Sequence, residues 1–237
     1  MRLALLLCFF HWHVEADTVP AGAEFKQFFH DNGVVSAQGY FLDGQPEGVW
    51  KNYDREGNLV SEGSRKNLQL HGKWTFCQDG RAVREIHYVS GRKEGASIHY
   101  YPGRIVYENF HADTLQGLRR VTDTAGRLLQ TTRFVDGLEE GFDKRYGAYG
   151  EVTVFTFFKK GMLSFRQAAN RRDGTGKRQG EWKDFYENGL LHWECTYQDD
   201  LKDGYYKEYD SLGNLLVLRK YVSGIWQEEA PEIARME

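Results

Sequence analysis

The sequence predicts an all-β fold, an elongated antiparallel meander of tandem β-hairpin repeats about 23–24 residues long. Three observations predict it. Glycine recurs at Gly33, Gly57, Gly80, Gly103, Gly126, Gly150, Gly189 and Gly213, in steps of 23 or 24 with one exception of 39. A second glycine series leads the first, at Gly48, Gly72, Gly95, Gly117, Gly141, Gly180 and Gly204. The composition, with 26 Gly, 15% aromatic residues, three Met and four Pro, describes a turn-rich β protein rather than a helical one. Self-similarity at a fixed period marks a repeat architecture, in which stacked neighbours bury the face that one hairpin cannot bury alone.

The elements follow in chain order. Residues 1–16 read as an export signal: a basic start at Met1-Arg2, an apolar run from Leu3 to Phe10, and Val14-Glu15-Ala16 ahead of a cleavage site before Asp17. The expected location is therefore the periplasm or the extracellular space. Residues 17–227 form a single repeat domain of about eight units. Each unit holds two β stretches split by a first-series glycine. Asp54-Arg55-Glu56-Gly57 and Asp210-Ser211-Leu212-Gly213 suit a tight hairpin with a bulge, because Asp bonds the turn backbone and Gly accepts positive φ. The second stretch ends in aromatic-x-x-Gly-x-x-x-Gly, as at Phe41, Gly44 and Gly48, which reads as a second turn into the next unit. Connections this short force antiparallel neighbours, about sixteen strands in all, or a rod of roughly 75 Å at about 4.8 Å per strand. Residues 228–237 are an acidic tail.

The aromatic ranks predict the core. Trp50, Trp74, Trp182 and Tyr206 share one repeat position, and Phe29, Tyr53, Phe76, Tyr146, Phe185 and Tyr209 share another, three residues on in the regular units. An odd interval leaves two arrangements: aromatics on both faces, or a bulge that restores one face. The four residues of the first rank are core or partner contacts. Eight residues past the central glycine come Phe41, Tyr88, Phe134, Phe158, Tyr197 and Tyr221, with Arg65 and His111 as exceptions. Cys77 and Cys195 fall about nine strands apart, roughly 43 Å at 4.8 Å each. That exceeds the ~7 Å reach of a disulfide, so isolated buried thiols are expected.

These residues resemble a known family. The pattern Gly-x-Trp-x-x-Tyr-Asp-x-x-Gly-x-Leu, with an aromatic and Gly-x-x-x-Gly after it, resembles the MORN-repeat variant, grouped in bacteria as "YwqK family antitoxin". The resemblance spans about residues 25–227 and is strongest in the units opening at Gly48, Gly180 and Gly204. It implies a binding scaffold without a shared catalytic site, some members being proposed antitoxins beside secreted toxins.

The residues themselves suggest no enzyme. Gly174-Thr175-Gly176-Lys177 lacks the spacing of a phosphate loop. His87, His99 and His111 recur every twelve residues, but a metal site needs three or four converging ligands. The acidic residues before the unit-opening glycines, Glu47, Glu94, Glu140 and Asp203, recur as turn chemistry. No catalytic group, cofactor or metal is expected, and a net charge of −3 argues against nucleic acid. The step of 39 places about fifteen extra residues between Gly161 and Gly180. Its polar segment 167–179 carries Arg171, Arg172, Lys177 and Arg178, and insertions in repeat proteins map to loops that often bind. The expectation is an exported, non-enzymatic scaffold that binds a protein partner through these cations, with the antitoxin or immunity type as what the resemblance implies. The alternative is an envelope-associated scaffold at a membrane or cell-wall surface.

Overall fold

A computed structural model describes residue 19 and residues 21–228. The expected export signal and residues 229–237 of the tail lie outside the described residues. Every regular element among the described residues is a strand. The chain divides into two compact units, Met1–Arg92 and Lys93–Glu237, a division that no break in the glycine spacing announces.

The first unit is a meander of β1 (Glu24–Phe29), β2 (Val35–Leu42), β3 (Gln45–Tyr53), β4 (Leu59–Lys66), β5 (Gln69–Gln78) and β6 (Arg81–Val89), each antiparallel to the next. Two kinds of turn connect them. In the turn at Gly57, the Gly57 N–H donates to the Asp54 carbonyl, and the Asp54 carboxylate accepts the N–H groups of Glu56 and Asn58. Beside it the pairing steps from Asn52↔Ser61 to Tyr53↔Leu59, leaving Val60 as the expected bulge. The second kind is the two-residue turn Asp43-Gly44, with φ of 51° and 77°, the primed geometry that matches strand twist.

The role expected of the second glycine series is corrected. The turn is made at Gly44, and Gly48 lies inside β3, where pairing jumps from Tyr40↔Glu47 to Gly39↔Trp50. Gly48 and Val49 are the residues left over, and the φ of 70° at Gly48 makes this a glycine bulge. The acidic residue before it does turn chemistry across units. Glu47 accepts the N–H of Asn67 at 3.0 Å, Glu94 that of Ala112 at 2.9 Å, Glu140 that of Lys160 at 2.6 Å and Asp203 that of Ser223 at 3.3 Å. All four donors open two-residue turns at φ between 45° and 50°.

The second unit holds two sheets. One runs through β7 (Arg92–Tyr101), β8 (Arg104–His111), β9 (Thr114–Leu115), β10 (Gly117–Asp123), β11 (Leu128–Val135), β12 (Leu138–Tyr146), β13 (Val152–Lys159) and β14 (Met162–Ala168). The other is seven-stranded: β15 (Arg171–Arg172), β16 (Arg178–Phe185), β17 (Leu191–Gln198), β18 (Leu201–Lys202), β19 (Gly204–Tyr209), β20 (Leu215–Val222) and β21 (Ile225–Gln227). The change of sheet happens at Ala169-Asn170. Asn170, at φ 56° and 5% exposed, bonds both sheets. Its amide nitrogen donates to the Val152 and Lys183 carbonyls at 2.8 and 3.0 Å, and its oxygen accepts the Lys183 N–H at 2.7 Å.

That corner explains the step of 39, and the inserted loop is corrected. Residues 167–179 are the end of β14, the corner, β15, a turn and the start of β16. Asp173-Gly174-Thr175-Gly176 repeats the Asp54 turn: Gly176 N–H to Asp173 O, with the Asp173 carboxylate accepting the N–H groups of Thr175 and Lys177. Gly174-Thr175-Gly176, whose spacing does not suit a phosphate loop, belongs to a hairpin turn.

The aromatic parity is also settled. On β16, Trp182 packs with Cys195 and Tyr197, whereas Phe185 packs with Phe142 and Phe155, so both faces carry aromatics. Phe155 is fully buried, and the rings of Phe142, Phe157, Phe165 and Phe185 close around it and each other with centroids 4.8–6.0 Å apart. This cluster joins the two sheets of the second unit, while Trp50, Trp74, Ile86 and Tyr88 form the core of the first.

Candidate recognition surface

The tryptophans of the first rank are structural. Trp50, Trp74 and Trp182 are 6%, 2% and 8% exposed, and Tyr206 is half-buried. Trp50 and Trp74 lie flat on glycine. Trp50 faces Gly39 across the strands and Trp74 faces Gly63. A Cβ on either glycine would sit 2.4–2.5 Å from the indole. The Tyr206 hydroxyl donates to Glu208 at 2.9 Å; burial and that carboxylate push its pKa up to about 12. Burial likewise raises the thiols of half-buried Cys77 and buried Cys195, which are both free.

Cations stack between the rings. Arg65, at a position aromatic in most units, holds its guanidinium 5.9 Å from the Trp50 ring and 5.7 Å from the Trp74 ring. Its planar, weakly hydrated group fills the place of the missing ring.

The four candidate cations divide into two pairs. Arg172 lies 4.9 Å from the Tyr149 ring and 5.1 Å from Trp182, donates to the Gly176 carbonyl, and sits 3.4 Å from Glu151. Arg178 covers Tyr197 at 4.1 Å and Trp182 at 5.8 Å, and is fixed by Asp200 at 3.0 Å. The Arg178 N–H and guanidinium hold the Asp200 carboxyl below the usual carboxylate range. These two arginines are committed to packing. Arg171 and Lys177 are exposed, so only they remain to meet a partner as the sequence expectation describes.

A concave surface that sequence reasoning missed lies elsewhere in the second unit. A groove of about 520 Å³ is lined by Leu118, Arg133, Phe134, Lys144, Tyr146 and Glu187, among others. Buried Phe142, on the face of β12 that carries Lys144 and Tyr146, supplies an apolar floor, and Leu118 is 52% exposed. Lys144 reaches 3.7 Å from Glu187 and 5.3 Å from the Phe142 ring, and the hydroxyls of Tyr146 and Thr131 are 3.1 Å apart. No motif marks it, because its walls come from β10, β11, β12 and the turn after β16. An apolar floor with a few polar groups suits binding. Among the described residues no group of three or more His, Cys, Asp or Glu is placed to hold a metal. His99 lies 3.9 Å from Glu108, and His111 bonds Glu94 at 2.9 Å, each with its own carboxylate.

The family profile of the MORN repeat variant, a non-catalytic repeat, matches residues 46–67 and 178–199. No curated protein matches the chain. The first match is β3 to β4, with Gly48, Trp50 and Gly57; the second is β16 to β17, with Gly180, Trp182 and Gly189. Two stretches of the chain thus match the MORN repeat variant, one in each of its compact units.

Proposed function

We propose that the protein is an exported, non-enzymatic scaffold that binds a protein partner, and that the groove of the second unit takes a loop or extended segment of that partner. The supporting observation is the groove itself: a preformed hollow that combines exposed Leu118 and buried Phe142 with Arg133, Lys144 and Tyr146. Aromatic and arginine side chains in a rigid hollow are the usual anchors of protein interfaces, and a shallow trough accepts a chain better than a metabolite. Exposed Arg171 and Lys177 form a second contact that steers association. Neutralising a toxin is the specific role that the resemblance suggests, and a toxin gene beside this one is its expected companion.

A photocrosslinking residue at Leu118, with one at exposed Leu212 as control, tests the groove. Expected is a covalent adduct with one partner protein from the exported fraction at position 118, lost on adding Lys144→Glu while the melting temperature holds. Equal adducts at both positions, or none at 118, overturn the groove as the contact. Export is checked separately by mass spectrometry, with Asp17 as the expected mature start; intact Met1 on cytosolic protein refutes it.

A further inference from the structure

The repeat is cut in mid-strand at both ends of the described chain, and the two pieces are complementary. In the complete strand β3, residues Gln45–Glu47 pair with Leu42–Tyr40, and Trp50–Asn52 pair with Gly39–Ala37. At the far end, β21 supplies only the first part. Ile225, Trp226 and Gln227 pair with Val222, Tyr221 and Lys220, the same register displaced by 180 residues. Among the described residues nothing pairs with the outer edge of β20 over Val217–Arg219, the positions equivalent to Ala37–Gly39. In β1, Lys26–Phe28 stands at the phase of Trp50–Asn52 and, among the described residues, pairs on one side only, with β2. So β1 stands in phase with the part of the strand that would follow β21.

Both edges carry apolar side chains that a complete repeat would cover. Phe25, Phe28 and Phe29 of β1 are 52%, 45% and 59% exposed, and Leu215 and Leu216 of β20 are 41% and 61% exposed. Repeat arrays are ordinarily closed by polar terminal units, and an unprotected apolar edge is a template for another strand. We propose that copies of this chain associate edge to edge, β1 of one copy completing the half-built strand beside β20 of another. By the β2–β3 register, Lys26, Gln27 and Phe28 meet Arg219, Leu218 and Val217, and Glu24, already 3.4 Å from Lys26, falls at the step between Arg219 and Lys220, beside the two like charges that face each other. The contact joins two different edges, so it is heterologous, and an open pair of copies keeps one free edge of each kind.

Sedimentation velocity of the full chain over a wide concentration range tests this independently of the groove. Expected is a weight-average mass that rises past the dimer without a plateau. Phe25→Glu breaks the β1 edge and Leu216→Glu the β20 edge; each alone gives monomers, and an equimolar mixture, retaining one good edge of each kind, stops at dimers. Circular dichroism and melting temperature confirm folding, with Phe29→Glu and Leu215→Glu as replacements if the first pair misfolds. A monomer at every concentration overturns the proposal and leaves these edges to the chain's own residues. Self-association of the Phe25→Glu variant alone overturns it too, because that requires β20 edges to pair with each other.

Discussion

The two matched repeats, residues 46–67 and 178–199, share a frame and differ in what fills it. Trp50 corresponds to Trp182, Lys51 to Lys183, Gly63 to Cys195, and Arg65 to Tyr197. Under Trp74 the neighbouring strand offers Gly63, so the indole rests on backbone; opposite Trp182 stands Cys195, and Trp182 packs edge-on to Tyr197 at 5.9 Å. The surroundings differ more. β3 has full partners on both sides, and Lys51 pairs with Gln38 and Glu62. β16 has a full partner only in β17, because β15 covers just Gln179 and Arg178. At Lys183 the Asn170 side chain takes over, bonding both its N–H and its C=O as a neighbouring strand would. One repeat is thus completed by a strand and the other by one amide group.

The largest expected effect removes the shared feature. Trp50→Ala and Trp182→Ala should each cost about 3–5 kcal/mol, read by chemical denaturation; a cost below about 1 kcal/mol would show these rings to be dispensable to the core. Next comes Asn170→Ala, which removes the partner of three backbone groups, two of them buried, and puts an apolar residue at positive φ. About 2–4 kcal/mol is expected. Asn170→Gly, which relieves φ but restores no bond, should recover only the smaller part, and full recovery would reduce the corner to a matter of φ.

Exchanging the residues under the rings sharpens the contrast. Gly63→Cys should cost about 1–3 kcal/mol by overpacking, because its Cβ enters the Trp74 ring. Combined with Trp74→Ala the penalty should largely vanish, a coupling that a double-mutant cycle measures. Cys195→Gly leaves a small gap and should cost less.

The smallest effect is in acid. Asp54 closes the first repeat's turn, and its carboxyl is held below the usual range mainly by the Asn58 side chain, then by the N–H groups of Asn58, Glu56 and Gly57. A depressed folded pKa contributes stability above the unfolded value, near 3.9, and that contribution is lost as pH falls through the folded value. The second repeat has Tyr186 there, with Asn188 bonding the Leu190 N–H. Amide protection at Asn58 should therefore fall below about pH 4 while protection at Leu190 holds; parallel loss at both would dissociate the effect from Asp54.

Much of this was legible in the residues. The glycine spacing and the Asp-x-x-Gly signature suffice for antiparallel hairpins, because positive φ and Asx bonding are local requirements. The recurrence of Glu47, Glu94, Glu140 and Asp203 announced a turn role, although not that each reaches forward to the following turn. The corner was hidden: Asn170 looks like any polar residue, and the Asp173-x-x-Gly176 turn was masked by a second glycine at Gly174. Recognition features were less legible still. Arg172 and Arg178 read as free cations because stacking on Trp182 depends on which strand lies beside which. The groove draws its walls from strands tens of residues apart in the chain.

The carboxylates that reach forward have a consequence for cooperativity. Each links one hairpin to the next across about twenty residues and to nothing farther away. In such a chain of nearest-neighbour couplings, a hairpin that opens releases its two neighbours from one restraint each, and the rest are unaffected. Heat should then melt the protein progressively, with a calorimetric enthalpy larger than the van't Hoff value, and slow amide exchange should be concentrated around buried Trp74 and Phe155.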